Sequence, residues 1–479
     1  MTPLLLAVAA AALTATARAA HPLPAIPWLA ATTESLLQRE REATWFRSSG
    51  YSAVRRVVQW RDTEVAPGVF NWSALDQLVP TADASYIAPW LVFTGANPLY
   101  DGGAAPTSAG ARAAFAAFAR AAVARYASTL ALAECWDQPN DAASWPPAPD
   151  AGAYAALCAA LATAVKAAQP NVTLLGLSAA PAPDGSGLDA PFVRAAVAAG
   201  ALRGFDGASV HLSRWDAATG APSPPEALAD DIRALRALLQ PAAVPLYAAV
   251  YRYATTPAAA APAPAAVDET TQAVYLGRAW MSGVVAGVNV SVWAAWRDGE
   301  ECAPGAGGGA CTAGAVHAGY NNASVPYAPK PAFLAGTAPN RGGSACAYVG
   351  SYTAATTGAD GTNATCTAVY TDCGFMTPGF NAWCFAPPGG MAPGWTANFT
   401  FPFDAPGAAP AAAAAAVGGG ARGAGVCYWP LNYLGMQAGD LVCSAGDSVS
   451  WTLSLGDSMV YLVSHIWEGA RGRVQEQAS

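Results

Sequence analysis

Charge is what this 479-residue chain has least of: Asp, Glu, Lys and Arg together make up 12% of it, with a formal net charge of −8. A chain so short of cations and negative in balance is poorly suited to neutralising the phosphate backbone of a nucleic acid or an anionic membrane surface, which argues against either as a partner. Beyond the N-terminus no stretch reaches the ~18 uninterrupted apolar residues of a membrane span. The Ala-rich helices that come near are broken by Gly, Pro or Arg, so no membrane span is expected. None of the cysteines shows the paired short spacing of a zinc site. No Gly-rich phosphate turn follows the first strand. Neither a metal nor a cofactor is therefore expected.

Apolar residues are plentiful, at 53%, and the length suits one large domain with an appendage. Ala, Gly and Pro are over-represented, so amphipathicity built from Ala alone carries little weight. Residues 4–16 (LLLAVAAAALTAT) are apolar and lead into Ala17-Arg18-Ala19, a small-x-small cleavage pattern. Residues 1–20 thus read as an export signal, with an ordinary N-terminal helix as the alternative, and the protein as secreted.

Ten cysteines fit an oxidising compartment. Cys346, Cys366, Cys373, Cys384, Cys427 and Cys443 crowd the last third and are expected to pair among themselves, in an order the sequence does not choose. Cys302 and Cys311 flank a Gly-rich loop that a disulfide would close. Cys135 and Cys158 fall in a strand and a helix and read as buried free thiols. Asn71, Asn171, Asn322, Asn363 and Asn398 are glycosylation sequons open to use in an exported chain, whereas Asn289 lies in a strand.

Short apolar strands alternate with longer helices from about residue 25 to 335. Strands are predicted near 25–30, 53–58, 86–93, 131–136, 173–178, 207–211, 245–250 and 288–294. Helices are predicted near 35–48, 108–126, 152–168, 191–199, 226–239 and 269–286. Eight βα repeats in this length predict an α/β fold, a (β/α)8 TIM barrel over 21–335. After Pro329-Lys330-Pro331 the texture becomes rich in Thr, Tyr, Val, Gly and Cys. Residues 336–479 therefore read as a Cys-rich, mostly-β module, with an Ala/Gly-rich low-complexity loop at 405–425.

Seven segments carry chemistry in a recognisable order. They are Trp60 to Glu64 followed by Pro67-Gly68-Val69-Phe70-Asn71-Trp72; Asn97-Pro98-Leu99-Tyr100-Asp101; Trp136-Asp137-Gln138-Pro139-Asn140; Ser209-Val210-His211; Gln272 to Tyr275; Trp293 to Gly299; and Pro329 to Phe333. Over about residues 45–335 they resemble clan A glycoside hydrolases, in particular the family 39-like, xylosidase/iduronidase-type barrels.

The resemblance implies an oligo- or polysaccharide partner and two carboxyl groups, an acid/base after the fourth strand and a nucleophile at the end of the seventh. In a retaining enzyme these lie ~5–5.5 Å apart. Gln138 stands at the first position and Val250 at the second. An amide cannot shuttle a proton and an alkyl group has no nucleophilic lone pair. The Asn expected before the acid/base is Asp137, and a Gly two residues after the nucleophile is Arg252. The resemblance also implies that Arg55 steadies an anion, with Glu134 or Asp137 as its partner here, and that His211 and Asn140 meet the sugar.

Stand-in acids are Asp137, Glu134, Asp298, Glu300 and Glu301. By strand parity Glu134, Trp136 and Gln138 point into the barrel. Trp60, Tyr100, Trp136, Trp145, Trp215, Tyr253, Trp293 and Trp296 are candidates for a stacking rim, or else core anchors. Three readings remain open: a carbohydrate-binding barrel without the standard catalytic pair, a hydrolase with relocated carboxylates, or a structural extracellular protein. The oligomeric state is open.

Overall fold

The computed structural model describes residues 28–35, 37, 42–255, 266–300, 312–317 and 329–336, and beyond them the backbone of eight strands between 347 and 467. The proposed export signal, Glu301, Cys302, Cys311, the sequon at Asn322 and all but the last residue of the 405–425 loop lie outside the described residues.

Eight parallel strands close into a barrel: β1 (Trp28–Thr32), β2 (Ala53–Gln59), β3 (Ala88–Thr94), β4 (Leu132–Cys135), β5 (Thr173–Ala179), β6 (Gly207–Leu212), β7 (Leu246–Tyr251) and β8 (Val290–Ala294). Each pairs with its sequence neighbours, and β1 closes on β8 with Ala30 opposite Val292. The first strand is described from Trp28; residues 25–27 of the predicted 25–30 lie outside the described residues.

Around the barrel run α1 (Glu42–Ser48), α2 (Ser73–Ala84), α3 (Ala109–Arg125), α4 (Ala151–Ala168), α5 (Ala190–Ala198), α6 (Ala229–Leu239), α7 (Glu269–Val285) and α8 (Pro331–Ala335). Sequence patterning misses α2, whose interior holds Pro80, a residue that ordinarily breaks a helix. Its buried Leu75, Leu78, Val79 and Ala82 supply the packing that outweighs the lost backbone bond. Four helices start on side-chain caps: Ser108, Asp150, Asp189 and Asp268 accept backbone N–H bonds of the first turn. Each cap ends a βα loop, so these loops at the C-terminal face of the barrel are pinned. α4 is long and apolar enough to cross a membrane, but it lies in the helix ring with Tyr154, Leu157, Cys158, Leu161 and Val165 buried along one side.

Two apolar layers form. One lies between strands and helices. The other fills the barrel lumen with Trp90, Val92, Leu132, Leu175, Val250 and Val292 among others.

After the barrel come β9 (Ala347–Thr357), β10 (Asn363–Asp372), β11 (Phe380–Phe385), β12 (Thr396–Pro402), β13 (Gly425–Asn432), β14 (Val442–Ser444), β15 (Ser448–Ser454) and β16 (Met459–Trp467). They form one antiparallel sheet in the order β14-β13-β16-β11-β10-β9-β12-β15. Its register sets Cys427 directly opposite Cys443. The pairing of the six tail cysteines lies outside the described side chains.

Candidate functional site

Above the apolar lumen the strands deliver a polar layer. β2 contributes Arg55, which is fully buried. Its Nε donates to Glu134 Oε2 at 3.0 Å, and its Nη2 donates to Asp137 Oδ1 at 2.5 Å and to Ser178 Oγ at 3.3 Å. The guanidinium also lies 5.6 Å from the Trp90 ring centroid, a cation–π contact. Arg55 thus meets both anions named for it. Glu134 sits wholly inside the barrel, and Ser209 donates to its other oxygen. A carboxylate enclosed in this way has no access to a substrate.

Asp137 is the most exposed member of the layer, with 18% of its side chain open against 11% for His211. Oδ1 accepts from Arg55, from Ser178 Oγ at 3.2 Å and from His211 Nε2 at 3.1 Å. Oδ2 accepts no hydrogen bond from the described residues. Burial opposes ionisation of this carboxyl, but Arg55 and then His211 outweigh it and hold the group well below the usual Asp range. Asp137 is therefore a fixed carboxylate with one open oxygen. It can accept a hydroxyl proton bond, but at neutral pH it has no proton to give.

Gln138 follows, half-buried, with φ 54°. Its N–H donates to Ser178 O at 3.0 Å, and its O accepts from Asp141 N at 3.0 Å. The side-chain amide has no hydrogen-bond partner among the described residues. On the seventh strand Val250 is 2% exposed and belongs to the lumen core. It is in register with His211 on one side and Val292 on the other. Since His211 reaches Asp137, the Gln138 and Val250 positions share the C-terminal face of the barrel. Arg252, just beyond β7, is exposed and without an ion pair among the described residues.

The remaining described stand-in acids, Asp298 and Glu300, are held elsewhere. Asp298 Oδ1 accepts from the buried Lys330 Nζ at 2.7 Å and from Gly314 N at 2.9 Å, a clamp on the loop after β8. Glu300 is buried after β8, where it accepts from Thr33 Oγ1 at 2.9 Å, Ser35 N at 3.2 Å and Arg297 N at 3.2 Å. Its carboxyl is raised from 4.5 to about 7, chiefly by burial, against the opposing pull of Arg297. Nearby, Glu42 accepts from Ser35 Oγ at 2.6 Å and from Trp296 Nε1 at 3.0 Å.

The aromatic rim does not form as expected. Trp60 is 1% exposed; Tyr100 stacks on it at 4.8 Å and Phe115 meets it edge-on at 5.3 Å. Its Nε1 donates to Glu64 Oε2 at 2.5 Å, and Tyr100 Oη donates to Glu64 Oε1 at 2.7 Å, so the three side chains lock the loops after β2 and β3. Trp136 is fully buried against Trp145 and Phe115, outside the lumen. The parity argument fails there because β4 ends at Cys135 and Trp136 takes φ 62°, which turns its ring outward and brings Asp137 inward. Trp293 donates to Ala313 O at 2.9 Å, Trp296 packs on Phe46, Tyr51 and Phe333, and Tyr253 donates to Ser223 O at 3.0 Å. Trp145, Trp293, Trp296 and Tyr253 are all buried, with no ring face left for a sugar. Of the named aromatics, Tyr100 and Trp215 are the two left partly open. Asn140 is also structural: its Oδ1 accepts from Ala180 N at 2.7 Å, and its Nδ2 donates to Ala180 O and Asp189 Oδ2.

Ser178 escaped the sequence reading, although it joins Arg55, Asp137 and His211. A register shift in β5 at Leu177/Ala179, with Leu177 at φ 82° and Ser178 at φ 42°, rotates it out of the alternation that would have identified it. Thr94 Oγ1, which accepts from Asp137 N at 3.2 Å, was readable as the polar end of an otherwise apolar β3. Among the described residues no group of three His, Cys, Asp or Glu side chains gathers to hold a metal ion.

No family model and no curated protein matches the chain. Solved structures do. A family 39 glycoside hydrolase from the gut symbiont Bacteroides cellulosilyticus WH2 superposes with a TM-score of 0.60 at 16% identity, over 92% of this chain and 81% of that one. The GH39 enzyme from Xanthomonas axonopodis pv. citri gives 0.55 at 15%, over 94% and 96%. A monomeric beta-xylosidase from Caulobacter crescentus CB15 gives 0.54 at 14%, over 94% and 98%. The chain has the TIM-barrel fold of these glycoside hydrolases.

Proposed function

We propose that this glycoside-hydrolase-like barrel recognises an oligo- or polysaccharide at the C-terminal mouth and does not hydrolyse it by the standard retaining route. The observation that carries the reading is the pairing of an amide and an alkyl group at the two strand ends where that route needs carboxyls: the half-buried Gln138 amide has no hydrogen-bond partner among the described residues, and Val250 is part of the lumen core. What remains is suited to holding hydroxyl groups. Asp137 presents an open anionic oxygen fixed by Arg55, Ser178 and His211, and Gln138 presents an amide that both donates and accepts. Arg252 adds an exposed cation at the adjoining strand end. Secretion, stapling of the tail by disulfides and glycosylation at the exposed sequons belong to the same proposal, supported by the N-terminal apolar run and the cysteine content. Two measurements on the purified full-length chain test it: binding to a panel of immobilised glycans, and turnover of aryl-glycosides. Saturable glycan binding with no turnover is expected; robust turnover by the wild-type chain would overturn the proposal.

One observation favours a second reading. Glu300, raised to about 7 chiefly by burial, exchanges its proton near neutral pH as a general acid must, and Asp137 is an ionised group that could serve as base. Every oxygen of Glu300 is, however, already engaged by Thr33, Ser35 or Arg297. Turnover that vanishes in both Glu300→Gln and Asp137→Asn would install this relocated-acid route instead.

A further inference from the structure

We propose that Cys135 and Cys158 are the site of a disulfide that ties β4 to α4 immediately beneath the candidate site. The two Sγ atoms lie 3.1 Å apart, both on fully buried residues, so closing to the ~2.05 Å of a disulfide asks for about 1 Å of movement. The surrounding contacts already hold the two elements in place. Tyr154, one turn before Cys158 on the same face of α4, donates to Cys135 O at 3.3 Å and accepts from Leu177 N at 2.7 Å. The helix is therefore keyed to β4 and β5 by a neighbour of the sulfur pair, which holds the two sulfurs beside each other. The bond would close residues 136–157 into a covalent loop that includes Asp137, Gln138 and Asn140, anchoring the candidate site at its first residue.

The chemistry is a two-electron oxidation by a disulfide-bearing oxidant such as glutathione disulfide. One cysteine thiolate attacks a sulfur of the oxidant, forming a mixed disulfide and releasing one thiol. The second thiolate then attacks the protein sulfur of that mixed disulfide and releases the other thiol. Both electrons and both protons end on the two thiols of the reduced oxidant. In the folded chain burial pushes the Cys135 thiol up, with the neighbouring Cys158 adding to the effect, and both residues are closed to solvent. The bond must therefore form while the chain folds, before α4 covers β4. A chain folded without oxidant keeps two inert thiols.

The inference rests on the secreted reading for its setting and is independent of carbohydrate recognition. The test uses the full chain in two preparations, one secreted from a eukaryotic host and one refolded from reduced, denatured protein in a glutathione redox buffer. Each is alkylated under denaturing conditions and mapped by peptide mass. Recovery of the Cys135 and Cys158 peptides as one species, lighter by two hydrogen atoms and separated by a phosphine reductant, is expected in both and supports the proposal from either. Alkyl label on both cysteines in both preparations, or their linkage to other cysteines, overturns it. As a second readout, native wild-type protein refolded without oxidant should leave Cys135 and Cys158 unlabelled by an alkylating reagent over hours, and label both once denatured. Rapid labelling of the native protein would overturn the claim that the bond must form during folding.

Discussion

Replacing Glu300 with Gln should flatten the pH dependence of stability between about pH 5 and 7.5, and the size of the effect follows from its surroundings. Its carboxyl is raised from 4.5 to about 7 because it is buried after β8, with Glu42 adding repulsion and Arg297 and the Thr33 hydroxyl working the other way. Arg56 feels the field of both Glu34 and Glu300, so these are the charged groups that set the local balance. A folded pKa above the unfolded one means that the native state binds the extra proton. The stabilisation is complete below about pH 4.5 and is lost as pH rises through about 7. At 1.36 kcal/mol per unit, that difference corresponds to about 3 kcal/mol. Gln keeps the volume and the acceptor for Thr33 while removing the titration. Urea unfolding of the two proteins at pH 5 and pH 7.5 measures the double difference, and the wild type should lose about 2 kcal/mol more than the variant over that interval, the remainder falling below pH 5. Asp137 does not confuse the reading: its folded pKa is lowered, so its contribution is lost only as pH falls through the acid range. Parallel loss in wild type and variant would refute the account of Glu300 and, with it, the premise of the relocated-acid route.

The other predictions concern the site and the tail. Arg55→Met should destabilise the barrel by about 3–5 kcal/mol, since it leaves the buried Glu134 without its cation; thermal melting checks this. Gln138→Ala should leave stability unchanged, because the amide has no partner among the described residues, and should weaken glycan binding by roughly 2- to 10-fold in titration calorimetry. Gln138→Glu alone should not create aryl-glycoside turnover, because Val250 still offers no nucleophile. Only with Val250→Glu added does the end of β7 carry a carboxyl, and a single-variant rate equal to that of the double variant would contradict the assignment. In the tail, peptide mapping of the secreted chain should link Cys427 to Cys443, the pair set opposite each other in β13 and β14.

The linear order of residues determined the architecture. Period-two apolar strands separated by long helical runs carry the (β/α)8 pattern locally, and the seven strands after the first fell close to their predicted places. That an amide stands at Gln138 and an alkyl group at Val250 was also local information, since side-chain identity at a strand end needs no folding to be read. Burial was not local. Trp60, Trp136, Trp293 and Trp296 lie at or near strand ends, where a ring can face the mouth or the helix layer, and only the packing of Phe115, Trp145, Tyr253 and Phe46 against them decided for the helix layer. Backbone exceptions defeated the alternation at the two places that build the site. Positive φ at Trp136 exchanges the directions of Trp136 and Asp137, and the irregularity at Leu177 turns Ser178 toward His211. The charge state of the site is likewise a tertiary property. Asp137 is held ionised and the Glu300 carboxyl is pushed up to about 7 because strands and loops distant in sequence bring a guanidinium to one and exclude water from the other.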